Sequence, residues 1–128
     1  MVQQQKILII DDDPVFVDAM KTVLETRYQV ITAPGGDEGL STARRDKPDL
    51  ILLDIIMPNR DGFHVCKQLK ADKELAGTPV IILTSFARHK GETKIPVSAG
   101  LDLEAEGYID KPVSPQELLR QVGAVLKK

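Results

Sequence analysis

Only one cysteine, Cys66, occurs in 128 residues, so no disulfide can close within the chain. That usage fits a reducing compartment. No apolar run approaches the roughly 20 residues needed to span a bilayer. The opening stretch, Met1-Val2-Gln3-Gln4-Gln5-Lys6, is too polar for a signal peptide. A cytoplasmic location with no membrane attachment is therefore expected. An excess of either charge is also missing. Lys and Arg number 17 against 19 Asp and Glu, for a net charge of −2. Direct nucleic-acid binding gets no electrostatic support from that balance. Neither a Gly-x-x-x-x-Gly-Lys nor a Gly-x-Gly-x-x-Gly loop is present, which disfavours nucleotide binding. No internal repeat, low-complexity tract or domain-sized linker interrupts the chain. The length, with 42% hydrophobic and 28% charged residues, fits one globular domain over 1–128.

What is there begins with acid. Three aspartates, Asp11-Asp12-Asp13, close the apolar run Lys6-Ile7-Leu8-Ile9-Ile10. A second apolar run, Leu50-Ile51-Leu52-Leu53, ends on Asp54. If these runs are neighbouring parallel strands, their tips bring several carboxylates together. Like charges that close repel unless something offsets them. A hard divalent cation with oxygen ligands does so, and Mg²⁺ typically sits on one or two carboxylates plus a phosphate. The alternative for Asp11 and Asp12 is a pair of solvated loop acids.

Apolar runs alternate with amphipathic segments along the whole chain. Residues 6–10 read as a buried strand. Asp13-Pro14 supplies an N-cap and a first-turn proline, and Phe16, Met20, Val23 and Leu24 form one helical stripe. Residues 29–33 form a second strand, ended by Pro34-Gly35-Gly36. A short helix over 37–45, with Leu40 and Ala43 inward, breaks at Lys47-Pro48. Residues 49–54 read as a strand buried on both faces, and 57–62 as a loop. Val65, Cys66 and Leu69 mark the inner face of the next helix, with Cys66 a core filler. Residues 80–84 and 107–110 are the last two strands. Ser114-Pro115-Gln116-Glu117 opens the final helix with a capping box, and Leu118, Leu119, Val122, Val125 and Leu126 form its buried stripe. His64 and His89 have no ligand partner at metal spacing, and Arg88-His89-Lys90 reads as a solvated loop.

Five such alternations predict a doubly wound α/β domain with a five-stranded parallel sheet. In such sheets ligands bind at the carboxyl ends of the strands, beside the topological switch point. The acidic run, Asp54, Thr84 and Lys111 each fall at or just past such an end. Residues 85–106 fit the alternation poorly. They hold Gly91, Pro96 and Gly100 and no long apolar stripe. Gly costs roughly 1 kcal/mol and Pro roughly 3 kcal/mol in a helix interior, so the helix due there, the fourth in the series, is expected to be irregular or shortened.

At these residues the chain resembles a response-regulator receiver domain of two-component signalling, of the chemotaxis-regulator type. The resemblance runs through Ile9-Ile10-Asp11-Asp12-Asp13-Pro14, Leu52-Leu53-Asp54-Ile55-Ile56-Met57-Pro58 with Asp61-Gly62, Leu83-Thr84-Ser85, and Tyr108-Ile109-Asp110-Lys111-Pro112. It covers nearly the whole length. It implies a flavodoxin-like sheet of strand order 2-1-3-4-5 and a cis peptide before Pro112. It further implies that Asp54 is the phosphoacceptor. Asp12, Asp54 and the backbone carbonyl of Ile56 would bind Mg²⁺, with Asp11 acting mainly through metal-bound water. Thr84 and Lys111 would contact phosphoryl oxygens. Tyr108 would be an aromatic switch coupled to Thr84, against the plainer reading of a half-buried edge-strand aromatic. Asp13 is read as a helix cap and not a ligand.

The implied function is that of a receiver phosphorylated on aspartate by a histidine kinase or a histidine phosphotransfer protein, catalysing only its own phosphorylation and dephosphorylation. The chain stops just after its last helix with no output domain, so its effect is expected to pass either through contact with a downstream protein or through a part outside these 128 residues. Two rivals are a Mg²⁺-dependent phosphatase with an aspartyl nucleophile and a degenerate receiver serving only as an interaction module. The first needs a second acid two residues after the nucleophile, where Ile56 stands; the intact acidic set with Thr84 and Lys111 argues against the second. The interval from Thr84 to Lys111 is several residues longer than in typical receivers, so the face that reports phosphorylation is expected to be reshaped for a particular partner or mobile until phosphorylated. Ile56 and Phe86 fall where the family lines the path of attacking water. Both are apolar and exclude it, which predicts a long-lived acyl phosphate.

Overall fold

The computed structural model describes residues 4–57, 60–84, 106–110 and 113–126, and side chains within them apart from those of residues 56–57, 60–63, 84 and 110. Five apolar segments pair as one parallel sheet. They are β1 (Lys6–Ile10), β2 (Gln29–Ala33), β3 (Leu50–Asp54), β6 (Val80–Thr84) and β7 (Gly107–Asp110), in the order β2-β1-β3-β6-β7. Counting only strands of this sheet, that is the expected 2-1-3-4-5. A separate antiparallel ribbon, β4 (Ile56–Met57) with β5 (Arg60–Asp61), sits between β3 and the next helix. The sequence reading put a plain loop there. Two-residue strands carry no periodicity, so the pattern could not reveal them.

Four helices are described: α1 (Pro14–Leu24), α2 (Gly36–Asp46), α3 (Gly62–Ala71) and α4 (Pro115–Leu126). The expected irregular helix falls on residues 87–105, which lie outside the described residues. Alternation along each strand sorts side chains between two cores. Ile7, Ile9, Leu50 and Leu52 pack with Met20 and Leu24 of α1 and with Leu118 and Val122 of α4. Leu8, Ile10, Ile51 and Leu53 pack with Leu40 and Ala43 of α2 and with Val65, Cys66 and Leu69 of α3. The predicted inner faces of all four helices are thus the observed ones. No helix among the described residues is long and apolar enough to cross a membrane.

Helix ends follow local chemistry. Asp13 Oδ1 accepts from the amides of Val15 (3.1 Å) and Phe16 (3.3 Å), so it caps α1 as expected. The helix α2 stops at Lys47, the one described non-glycine residue in the left-handed region (φ 47°), whose N–H still reaches the Ala43 carbonyl at 2.9 Å. Pro48 disfavours a helical conformation for the residue before it, which explains the stop. In α4 the Ser114 hydroxyl accepts the Glu117 amide at 3.1 Å. The reciprocal half of the expected capping box is not made. Both Glu117 carboxylate oxygens are taken by Arg120 and Gln121, its neighbours on the same helix face. The Arg120 guanidinium, and after it the Gln121 amide, hold the Glu117 carboxyl down at about 2.

One close approach sets the spacing of α2 against β1. A Cβ added at Gly39 would lie 2.5 Å from Ile10 Cδ1 and 2.7 Å from its Cγ1. Ile10 is wholly buried and has nowhere to move. Helix propensity alone would favour Ala at position 39 by roughly 1 kcal/mol. Overpacking reverses the sign: Gly39→Ala is expected to lower stability by about 1–3 kcal/mol, read as a fall in the urea midpoint. Asp13→Ala should cost about 1 kcal/mol through loss of the cap in the same measurement.

Candidate metal and phosphate site

The register of the sheet decides which residues meet at its carboxyl end. Ile10 pairs with Leu53, so Asp11 and Asp54 follow at the same level on neighbouring strands. Asp54 pairs with Leu83, which puts Thr84 one position further on. Thr84 pairs with Asp110, and Lys111 is next in the chain. β1 and β3 flank the point where the strand order reverses, the place where doubly wound sheets bind ligands.

Carboxylate oxygens of Asp11, Asp12 and Asp54 all lie within 4.8 Å of one another. Asp11 and Asp54 are each only 2% exposed, while Asp12 faces solvent. Solvated loop acids do not describe Asp11, therefore. Its Oδ1 accepts the Asp13 amide at 3.0 Å, and its own amide is held by the Ala33 carbonyl at 3.1 Å. The same tight turn orients Asp11 inward and frees Asp13 to cap α1. Ile55, next after Asp54, donates to the Leu83 carbonyl at 3.2 Å and fixes the exit from β3.

Two ionised carboxylates at this separation repel by about 3 kcal/mol at an effective dielectric near 20. The donor set is all hard oxygen, with two buried acids and one open to solvent. That suits a divalent cation such as Mg²⁺, which keeps several waters and needs an open side for a phosphate. Asp11, Asp12 and Asp54 are thus brought together as predicted. Tyr108 stands on the edge strand β7 and is 41% exposed, in keeping with an edge-strand aromatic. The main chain of Ile56 is described in β4, paired with Asp61, and that of Thr84 at the end of β6. Their side chains, together with Phe86, His89, Lys111 and the peptide bond before Pro112, lie outside the described residues. His64 is exposed.

Sequence reasoning missed a cleft of about 500 Å³ beside Asp12, lined by Pro14, Val17, Asp18, Lys21, Thr32 and Pro34. The signal was available: positions 14, 17, 18 and 21 share one helix face. It also missed Gly39, whose role depends on a neighbouring strand that no local pattern reveals.

A family profile described as response regulator receiver domain matches residues 7–123. The chain is 41% identical over 125 residues to the alkaline phosphatase synthesis transcriptional regulatory protein PhoP of Bacillus subtilis, covering 97% of this chain and 49% of that one. It thus spans about half the length of that relative. A putative response regulator from Chloroflexus aurantiacus superposes with a TM-score of 0.85 at 28% identity, covering 98% of this chain and all of that one (100%). The receiver domain of the sensor histidine kinase PA1611 from Pseudomonas aeruginosa, solved with a magnesium ion coordinated in its active-site cleft, superposes at 0.83 with 25% identity over 98% of this chain and 99% of its own. With the strand order, the acidic cluster at the switch point and these likenesses in agreement, the chain belongs to the response-regulator receiver-domain family.

Proposed function

We propose that this chain is a phosphoacceptor switch, with Asp54 taking a phosphoryl group from the phosphohistidine of a histidine kinase or a histidine phosphotransfer protein. The observation that carries the reading is the convergence of Asp11, Asp12 and Asp54 at one end of the sheet, two of them almost fully buried. The likeness to a receiver solved with magnesium supports Mg²⁺ as the cofactor. Asp12, Asp54 and the Ile56 carbonyl would hold it directly, with Asp11 behind a bound water. When bound, the ion neutralises negative charge on the phosphoryl oxygens.

The chain's own residues divide the remaining work. Asp54 is shielded from bulk water, so its carboxylate meets the incoming phosphorus with little solvation to shed. One Asp54 oxygen bonds to phosphorus as the bond from phosphorus to the donor imidazole nitrogen breaks. That electron pair stays on the ring nitrogen, which takes a proton from solvent. Charge spreads over the three equatorial oxygens during transfer. The Thr84 hydroxyl donates to one of them and the Lys111 ammonium pairs with another. Ile56 and Phe86 keep water from the product. Phosphorylation then shifts a two-state equilibrium, reported through Thr84 and Tyr108, that controls a downstream partner.

Intact-mass measurement after acetyl phosphate and Mg²⁺ should show one added phosphoryl group, none without the metal, and none in Asp54→Asn. An unmodified parent chain under all conditions would refute the proposal. In calorimetric titration, Asp12→Asn should weaken Mg²⁺ binding about tenfold or more, equivalent to ~1.4 kcal/mol, whereas Asp13→Ala should leave it unchanged. Phosphoryl loss should be slow in the parent and severalfold faster in Phe86→Glu and Ile56→Asn, followed by mass or phosphate release. Fast decay in the parent that neither substitution alters would rule out the water-excluding role.

A further inference from the structure

A fourth acid is used in an unusual way, at the opposite end of the sheet. Glu106 immediately precedes β7. Its main-chain amide donates to the Val80 carbonyl at 2.8 Å, and its carboxylate Oε1 accepts the Val80 amide at 2.7 Å. Both main-chain groups of Val80, the first residue of β6, therefore go to this one residue. Lys70, in the last turn of α3, places its Nζ 3.4 Å from the same Oε1 and donates to the Thr78 carbonyl at 3.3 Å. The Lys70 side chain is 13% exposed and that of Glu106 34%, so the contact is partly shielded. A carboxylate is doing the work of a strand's main chain and tying it to a helix.

The strand so held needs holding. β7 has four residues and, among the described residues, lies at the sheet edge with β6 as its one neighbouring strand. Among its described side chains Ile109 alone is buried, so these specify register weakly. The chain also reaches β7 after the long interval 85–105. A slip of one residue moves everything downstream by about 3.3 Å and turns each side chain to the other face. The observed register sets Asp110 against Thr84, and Lys111 is next. Misplacing a charged group by even ~1 Å can cost about 100-fold in rate.

We propose that Glu106 is a positioning residue for phosphoryl transfer: pinned by the Val80 amide and the Lys70 ammonium, it sets the register of β7 and so the delivery of Lys111 to the acidic end of the sheet. This rests on the proposed function above. It does not involve the clustered acids, which stand just past the end of β1 and at the end of β3, and that separation makes it testable.

The experiment compares Glu106→Ala, Glu106→Gln and the parent as full chains. The readouts are phosphorylation rate with acetyl phosphate, Mg²⁺ affinity by calorimetry and hydrogen exchange at the Gly107–Asp110 amides. Glu106→Ala should phosphorylate about tenfold or more slowly with Mg²⁺ affinity within twofold of the parent and faster exchange in β7. Glu106→Gln keeps an oxygen to accept the Val80 amide and should recover most of the rate. Lys70→Met should give a smaller loss in the same direction. A parental rate in Glu106→Ala overturns the proposal, as does a Gln variant no better than the Ala variant. So does Mg²⁺ affinity falling in step with the rate, since that marks general disruption. If the parent itself takes up no phosphoryl group, the functional reading fails, and β7 exchange alone then judges the pin: unchanged protection in Glu106→Ala rejects it.

Discussion

Asp11 and Asp54 are held at the tips of adjacent strands with almost no access to water, and with Asp12 their oxygens converge within 4.8 Å. Left alone, ionised carboxylates so placed repel and move apart. They cannot separate here, because the strands behind them cannot. Ile7 to Ile10 of β1 and Leu50 to Leu53 of β3 are fully buried, and each such side chain is worth about 1.5–3 kcal/mol in burial. The summed burial far exceeds the roughly 3 kcal/mol of repulsion between two of the acids. The hydrophobic core thus dictates where the charges stand, and the suitability of the cluster for a divalent cation follows from that placement.

Much of this was open to inspection in the sequence, for identifiable reasons. Continuous apolar runs marked the strands buried on both faces, and Asp13-Pro14 marked the start of α1 because cap and proline act locally. Val65, Cys66 and Leu69 marked the buried side of α3 by spacing alone. The site was legible because a strand's carboxyl end is a property of order along the chain. What escaped depended on partners distant in sequence or on segments too short to carry a period. The β4–β5 ribbon belongs to the second kind. Gly39 and Glu106 belong to the first: a glycine in a helix and an acid before a strand read as weak spots or solvated charge until Ile10 and Val80 are known to lie against them. Glu117 shows the limit of motif reading. Its spacing from Ser114 satisfied the capping-box rule, but Arg120 and Gln121 compete for the same oxygens and take both.

The sheet is not equally firm throughout, and the difference bears on how a change of charge at Asp54 can be reported. β1 and β3 each have strands on both sides and helices on both faces, so they have no low-energy way to move. Among the described residues β7 pairs with one strand, shows one buried side chain and carries a tyrosine 41% exposed. Local opening concentrates where buried contacts are fewest, so under the proposed function a new charge at the rigid centre would be expressed at this edge. Glu106 fixes β7 at the end remote from the acids, while its other end, where Asp110 meets Thr84, lies beside them. A short strand held by Glu106 at one end has its freedom to shift at the other. Under the proposed function the pin and the acidic cluster would cooperate: one would keep the register constant while the other supplied the change in charge that the far end of β7 answers.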